Sequence, residues 1–421
     1  MSNEFNKEER VAFEDILEGF EDALVLSRHV AKYNTADGAM ERTGDIIWRP
    51  QPYIATSEDG MDQTANFKQA TQLSVPATIG FSKSVPWTMD AKELRDALQE
   101  KRLGDAAKQR LASDVNLAIM NVASNQGTLV VARAAAASGY ADVAEADAVM
   151  NEQGIMAYDR KLALSSRDYN DMASNLAARA TMTGKPDKAY EKSYVGEVAG
   201  FETYKLDYAN RIAAAAGGGS LTISTLVGAA NFYTPVSTST SATGERANVD
   251  NRYQTITISS TTSVVAGDCY TIAGVEAVHH ITKQSTGVLK TFRVISVDSA
   301  TTMTVSPPMV SNQGVTDAEE RYQNVSITAS GTAAIVFLNT TAAAVNPFWH
   351  KDAIEILPGR YAVPSNAGTN VMRGTTDQGI EVVWQKFYDI NTMLTKYRCD
   401  VLFGVVNKQP EMSGIMLFAQ V

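Results

Sequence analysis

Few side chains in this sequence stand at spacings that could do chemistry. His279 and His280 are adjacent and lie in or beside a strand. Strand neighbours point to opposite faces, so the pair would not chelate one metal ion, and no Cys-x-x-Cys or third ligand supports it. His29 and His350 stand singly and read as packing or surface residues. Ser165 and Ser166 lie between a strand pattern and a helix pattern, where a nucleophile could stand. The Gly-x-Ser-x-Gly context of a nucleophile elbow is missing, and helix N-capping accounts for both hydroxyls. The glycines at 217–219 follow four alanines and lack a lysine, so they read as a linker, not a phosphate cradle. Cys269 and Cys399 are far apart in sequence; they support no disulfide framework and read as small buried hydrophobes. The acidic pairs Glu14–Asp15, Glu21–Asp22 and Glu319–Glu320 read as solvated faces. No residue is assigned a catalytic, cofactor-binding or metal-ligating role.

One charged cluster is different. The segment GERANVDNR at 244–252 places Glu245, Arg246, Asp250 and Arg252 in surroundings otherwise poor in charge. Between Leu221 and Thr340, 35 of 120 residues are Ser or Thr and only 14 are charged. A projecting loop with both signs of charge can pair with a second subunit. A single exposed ion pair is worth only ~0–1 kcal/mol, but a symmetric assembly repeats it many times. The competing reading is a solvated turn.

The elements that must position this loop follow from periodicity. Residues 7–33 predict an amphipathic helix, with Phe13, Ile16, Leu17, Phe20, Leu24 and Val30 on one face and Asn6 as its cap. Residues 44–88 predict a long two-stranded excursion interrupted by prolines. Residues 90–124 predict the longest helix, about 52 Å at ~1.5 Å per residue, capped by Asp90, stopped by Gly127 and weakened at Gly104. From 128 to 220, strands TLVVA and KLALS alternate with helices, which predicts α/β or α+β packing. From 221 to 345, GDCYTIAGV, TFRVISVD and TMTVSPP predict short strands of a barrel or sandwich. DAIEIL, GIEVVWQKFYD and TKYRCDVLFGVV then return to the interrupted domain.

At 421 residues the chain holds about two to four domains. Its net charge of −10 argues against tight, phosphate-driven binding of nucleic acid. No apolar run reaches the ~18 residues of a membrane helix, and MSNEFNKEER lacks the apolar core of a signal peptide, which predicts a soluble protein of a reducing cytoplasm.

The order of parts resembles the major capsid (coat) protein of tailed bacteriophages, the Hong Kong 97 fold. YVGEVAGFETYKL and YRCDVLFGVVNKQPEMSGIM resemble stretches of that family. VDNRYQTITISSTTSVVAGDCYTIAGVEAV, TFRVISVD, MTVSPP, NPFWHKDAI and DIIWRPQP resemble the coat proteins of short-tailed Salmonella-type phages, which carry an inserted β-barrel. The resemblance implies an α+β fold in six parts: an N-terminal arm (1–35), an extended loop (36–88), a spine helix of the peripheral domain (89–127), the first part of an axial domain (128–220), the inserted barrel (221–345) and a return segment (346–421). It implies pentamers and hexamers in an icosahedral shell, a scaffolding protein and a portal as partners, and enclosed double-stranded DNA that is only weakly contacted. It implies a virion location after synthesis in a bacterial cytoplasm, with no enzyme activity, cofactor or membrane. By position, GERANVDNR matches the loop that touches a neighbouring capsomer. An encapsulin-like compartment shell is the first competing reading. A carbohydrate-active or adhesive protein with a β accessory domain is the second.

Overall fold

The computed structural model describes residues 7–33, 46–90 except 65 and 69, 97–178, 188–189, 192–193, 195–216, 221–223, 232–311, 313, 316–328, 331–362 and 370–420. The Asn6 cap and the glycines at 217–219 lie outside these residues. The chain divides into two compact units. One comprises 1–47, 77–120 and 354–406; the other comprises 48–76, 121–353 and 407–421.

In the first unit, helix α1 spans Lys7–Ala23. It ends ten residues short of the expected span and gives way to a 3-10 turn, Leu26–His29. Leu24 and Leu26 are both buried, yet on one helix they would point about 200° apart. Leaving the helix lets one body cover both. Helix α2 spans Ala97–Gln126, and Leu111, Val115 and Ile119 form its buried stripe. The residues between Asp90 and Ala97, where a cap at Asp90 would act, lie outside the described residues. Asp90 is the last residue of strand Phe81–Asp90, where it pairs with Leu394. Gly104 is explained by packing: a Cβ there would stand 2.6 Å from Ile16 Cδ1 on α1.

The unit's sheet runs in the order Ala31–Lys32, Ile354–Pro358, Leu394–Asn407, Glu381–Asp389, Asn370–Thr375, and Phe81–Asp90 also pairs with Leu394–Asn407. Its centre is aromatic. Trp384 lies 5.8 Å from Phe13 and 6.2 Å from Trp87, which stacks on Tyr397 at 5.6 Å. Such pairs contribute about 0.5–1.5 kcal/mol each beyond area burial.

The second unit carries a six-stranded mixed sheet, in the order Leu129–Ala132, Ser413–Leu417, Asn346–His350, Arg160–Ser165, Phe201–Leu206, Glu197–Val198. Helices α3 (Tyr140–Glu152) and α4 (Ser166–Ala177) contribute Val143, Met150, Tyr169 and Met172 to its core. Ser165 caps α4: its Oγ accepts from Asp168 N at 3.2 Å and donates to Asp168 Oδ2 at 2.7 Å. The serine expected to be structural is so.

The Ser/Thr-rich stretch forms a seven-stranded antiparallel sheet in the same unit. Its order is Thr222–Ile223, Ala333–Phe337, Cys269–Val278, Ser285–Val297, Thr302–Ser306, Gln254–Thr257, with Val325–Ile327 also on Cys269–Val278. Its two edges meet at an isolated bridge between Ile223 and Ile258, beside a bond from Ser259 N to Thr222 O of 2.9 Å. Burial alternates along Gln254–Thr257 and Ala333–Phe337, as period-2 patterning requires. Tyr270, Ile272, Phe292, Val294, Met303 and Ile335 fill the enclosed side.

A short helix, α5 (Asp317–Tyr322), was not foreseen. Thr316 Oγ1 accepts from Glu319 N at 3.3 Å, and Glu319 Oε2 accepts from Thr316 N at 3.1 Å. This capping box was legible as Thr-x-x-Glu, and it buries a carboxylate expected to face solvent.

Candidate subunit-contact site

The charged segment begins on a hairpin. Thr238–Thr240 pairs antiparallel with Arg246–Asn248, in the register Thr238–Asn248, Ser239–Ala247, Thr240–Arg246. Gly244, at φ +85°, supplies the positive φ that closes the turn. Ser241 Oγ accepts from Glu245 N at 3.1 Å and fixes the tip. Glu245 and Arg246 are both exposed. Among the described residues, Arg246 reaches only Thr238 Oγ1, at 3.5 Å. The hairpin therefore displays one negative and one positive side chain on a well-closed turn.

Asp250 and Arg252 are placed differently. Arg252 is 8% exposed. Its Nη2 and Nε donate to the two oxygens of Asp250 at 2.7 and 2.9 Å, and its Nη1 donates to Asn407 O at 2.9 Å. Its guanidinium also lies 5.0 Å from the Tyr253 ring centroid. Between them, Asn251 accepts from Val236 N and from Tyr233 OH, each at 3.0 Å. The four charged residues thus split into an exposed pair at the tip and an internal pair at the foot. Asn251 and Arg252 lie in a turn beyond strand Arg246–Asn248, and there Arg252 is directed inward.

A second charged cluster, invisible in the sequence, joins the inserted sheet to the α/β part of the same unit. Lys290, 1% exposed, donates to Glu411 Oε1 at 2.6 Å and to Gln153 Oε1 at 3.0 Å. Asn324 Nδ2 donates to the same Glu411 oxygen at 3.0 Å. His280 Nε2 lies 3.8 Å from Glu411 Oε2, and its backbone N donates to Gln153 O at 3.3 Å. Nearby, Thr291 Oγ1 donates to Thr128 O and Arg293 Nη1 to Gly127 O.

Burial opposes charge on Glu411, but Lys290, His280 and the bonds from Lys290 and Asn324 outweigh it and bring the carboxyl down to about 2. Burial pushes His280 down to about 4, against the pull of Glu411 and with the repulsion of Lys290, Lys283 and His279. Lys283 is brought down to about 8, chiefly by burial. In the sequence Lys290 is merely one of two basic residues of the strand STGVLKTFRVISV, with Arg293. Its partner lies 121 positions away, which no local pattern encodes.

The histidines lie beside a strand. They follow Val278 in a turn, where His279 Nδ1 accepts from Ile281 N and Thr282 N, each at 3.2 Å. Both cysteines are buried and free; burial raises both thiols, that of Cys399 to about 12. Among the described residues no group of His, Cys, Asp and Glu could hold a metal ion, and no helix is long and apolar enough to cross a membrane.

A family model described as P22 coat protein, gene protein 5, matches residues 1–419. The chain belongs to the P22 coat protein family. It is a shell-forming capsid subunit, and its place is the virion capsid. Copies of it assemble with one another into a shell.

Among solved structures, it is similar to a chain from Mycobacterium phage Che8, at 10% identity and a TM-score of 0.45, over 93% of this chain and 90% of that one. The capsid of the cyanophage P-SCSP1u matches at 11% identity and a TM-score of 0.43, over 93% and 87%. The CUS-3 coat protein I-domain matches at 38% identity and a TM-score of 0.22, over 28% of this chain and 96% of that one.

Proposed function

We propose that the hairpin tip, Glu245 and Arg246, pairs with opposite charges on a neighbouring copy and helps set how capsomers of pentamers and hexamers meet. One observation carries this reading: the two exposed, oppositely charged side chains stand on a turn whose foot is anchored inside the subunit. Asp250 and Arg252 serve that contact as its footing. The inserted residues 221–345 act as a closed barrel that folds the subunit and presents the hairpin; the bridge between Ile223 and Ile258 supports closure.

The subunit is made in a bacterial cytoplasm, assembles around a scaffolding protein with a portal at one vertex, and encloses double-stranded DNA. It performs no catalysis. The net charge of −10 suits a container that holds DNA without gripping it. Binding of the free subunit to duplex DNA should be weak and strongly salt-dependent; nanomolar affinity at physiological salt rules that part out.

The decisive experiment is Arg246→Glu, expressed with the genomic neighbours and viewed by electron microscopy. Folded subunits with failed or aberrant shells are expected. Normal particles in normal yield would remove the hairpin from the interface.

A further inference from the structure

Residues 51–73 leave strand Ile46–Pro50 and return to strand Ser74–Thr78. At the base, Gln51 N donates to Leu73 O at 2.9 Å and Gln72 Nε2 to Gln51 O at 2.8 Å. Farther out, Met61 and Phe67 are fully or nearly fully exposed. Each residue held in one conformation costs backbone entropy, so a long arm needs something to hold it.

Helix α5 of the inserted module supplies the contacts. Arg321 Nη1 donates to Tyr53 OH at 2.5 Å on the outgoing limb, with the guanidinium 5.9 Å from the ring centroid. On the returning limb, Arg321 Nη2 donates to Lys68 O at 3.4 Å and Tyr322 OH to Thr71 O at 2.8 Å. Glu320 Oε2 pairs with Lys68 Nζ at 2.6 Å, and Glu58 pairs with the same ammonium at 3.3 Å. Three successive side chains of one short helix therefore touch both limbs. The capping box that orders α5 gives them a fixed base. A second attachment lies at the end of the arm, where Ser74 forms a parallel bridge with Asp250 at the foot of the charged hairpin.

We propose that α5 is a clamp by which the inserted module sets the path of residues 51–73 in the lone subunit, before any neighbour arrives. One module then presents the arm and the charged hairpin as a single preset surface. The inference goes beyond the hairpin contact and concerns the unassembled chain, so it stands or falls separately.

The test is a distance distribution by double electron–electron resonance on the full-length, unassembled subunit. Spin labels at Asp59→Cys, on the arm, and at Ala300→Cys, in a turn of the inserted sheet, are both exposed; the native cysteines are buried. The wild-type background should give one narrow population. Lys68→Glu should lose it through repulsion from Glu58 and Glu320, Glu320→Lys should lose it too, and the Lys68→Glu/Glu320→Lys pair should recover it. Arg321→Ala should lose it most completely; if that variant does not fold, the charge-swap series decides. Distributions of equal width in all variants, whether narrow or broad, would overturn the clamp, as would a double swap as broad as its parents.

Discussion

Two charged clusters of the second unit have similar composition and opposite physics. At the hairpin tip, Glu245 and Arg246 stand in water, and their energy is screened and small. At the joint, Lys290 and Glu411 meet at 2.6 Å with the lysine 1% exposed. There, desolvation is severe and each charge tolerates burial only because the other is present. The tip is suited to recognition between copies, the joint to fixing one part of a copy against another. Number of charges is thus a poor guide to role; burial decides it.

The comparison breaks most visibly at the joint. Lys290→Met strands the Glu411 carboxylate beside Asn324 and His280, and should cost about 3–5 kcal/mol in urea unfolding of the full chain. Adding Glu411→Leu removes the stranded charge and should recover most of that loss. A double variant no more stable than Lys290→Met would mean that the joint is not a coupled pair.

The next effect is pH dependence. Unfolded, His280 takes a proton near 6.5; folded, it stays neutral until about 4. The unfolded state therefore binds more protons between these values, and stability falls as pH drops from about 6.5 to 4. The loss approaches about 3 kcal/mol, at 1.36 kcal/mol per unit. Glu411 adds a second loss only at lower pH, from its unfolded value of about 4.3 toward 2. Thermal melts at pH 7 and pH 5 should separate clearly in the wild type and draw together in His280→Leu. Equal separation in both would assign the acid sensitivity elsewhere.

The hairpin foot is intermediate, as its burial is. Arg252→Ala removes the bonds to Asp250 and Asn407 O and should cost about 2 kcal/mol. A cost under about 0.5 kcal/mol, the surface range, would place Arg252 with the tip.

These contrasts also mark what the sequence made legible. Local periodicity found α2, the strands at 129–132, 160–165 and 381–389, the cap at Ser165 and the β module, since each is encoded within a few residues. GERANVDNR was legible as a charged loop, but its division into tip and foot was not. That division depends on Asn407, 155 positions from Arg252, accepting from the guanidinium. The joint was hidden for the same reason, as was the long-range pairing of Asp90 with Leu394. The capping box at Thr316 was the exception: a local signal passed over because its acidic residues looked like a solvated face.

The smallest effect on stability is the one expected to matter most for assembly. Arg246→Glu exchanges one exposed charge for another and breaks only a 3.5 Å contact to Thr238, so unfolding should shift by less than about 0.5 kcal/mol. A shell repeats each subunit contact at every symmetry-related position, so a loss of even ~0.5 kcal/mol per contact multiplies across the particle. Assembly yield should therefore fall steeply in a variant whose monomer melts like wild type. Raising salt should weaken wild-type assembly in the same direction, because contacts between exposed charges are screened over about 8–10 Å at physiological ionic strength. If Arg246→Glu destabilises the monomer as much as Arg252→Ala does, tip and foot are one structural element and the division drawn here fails.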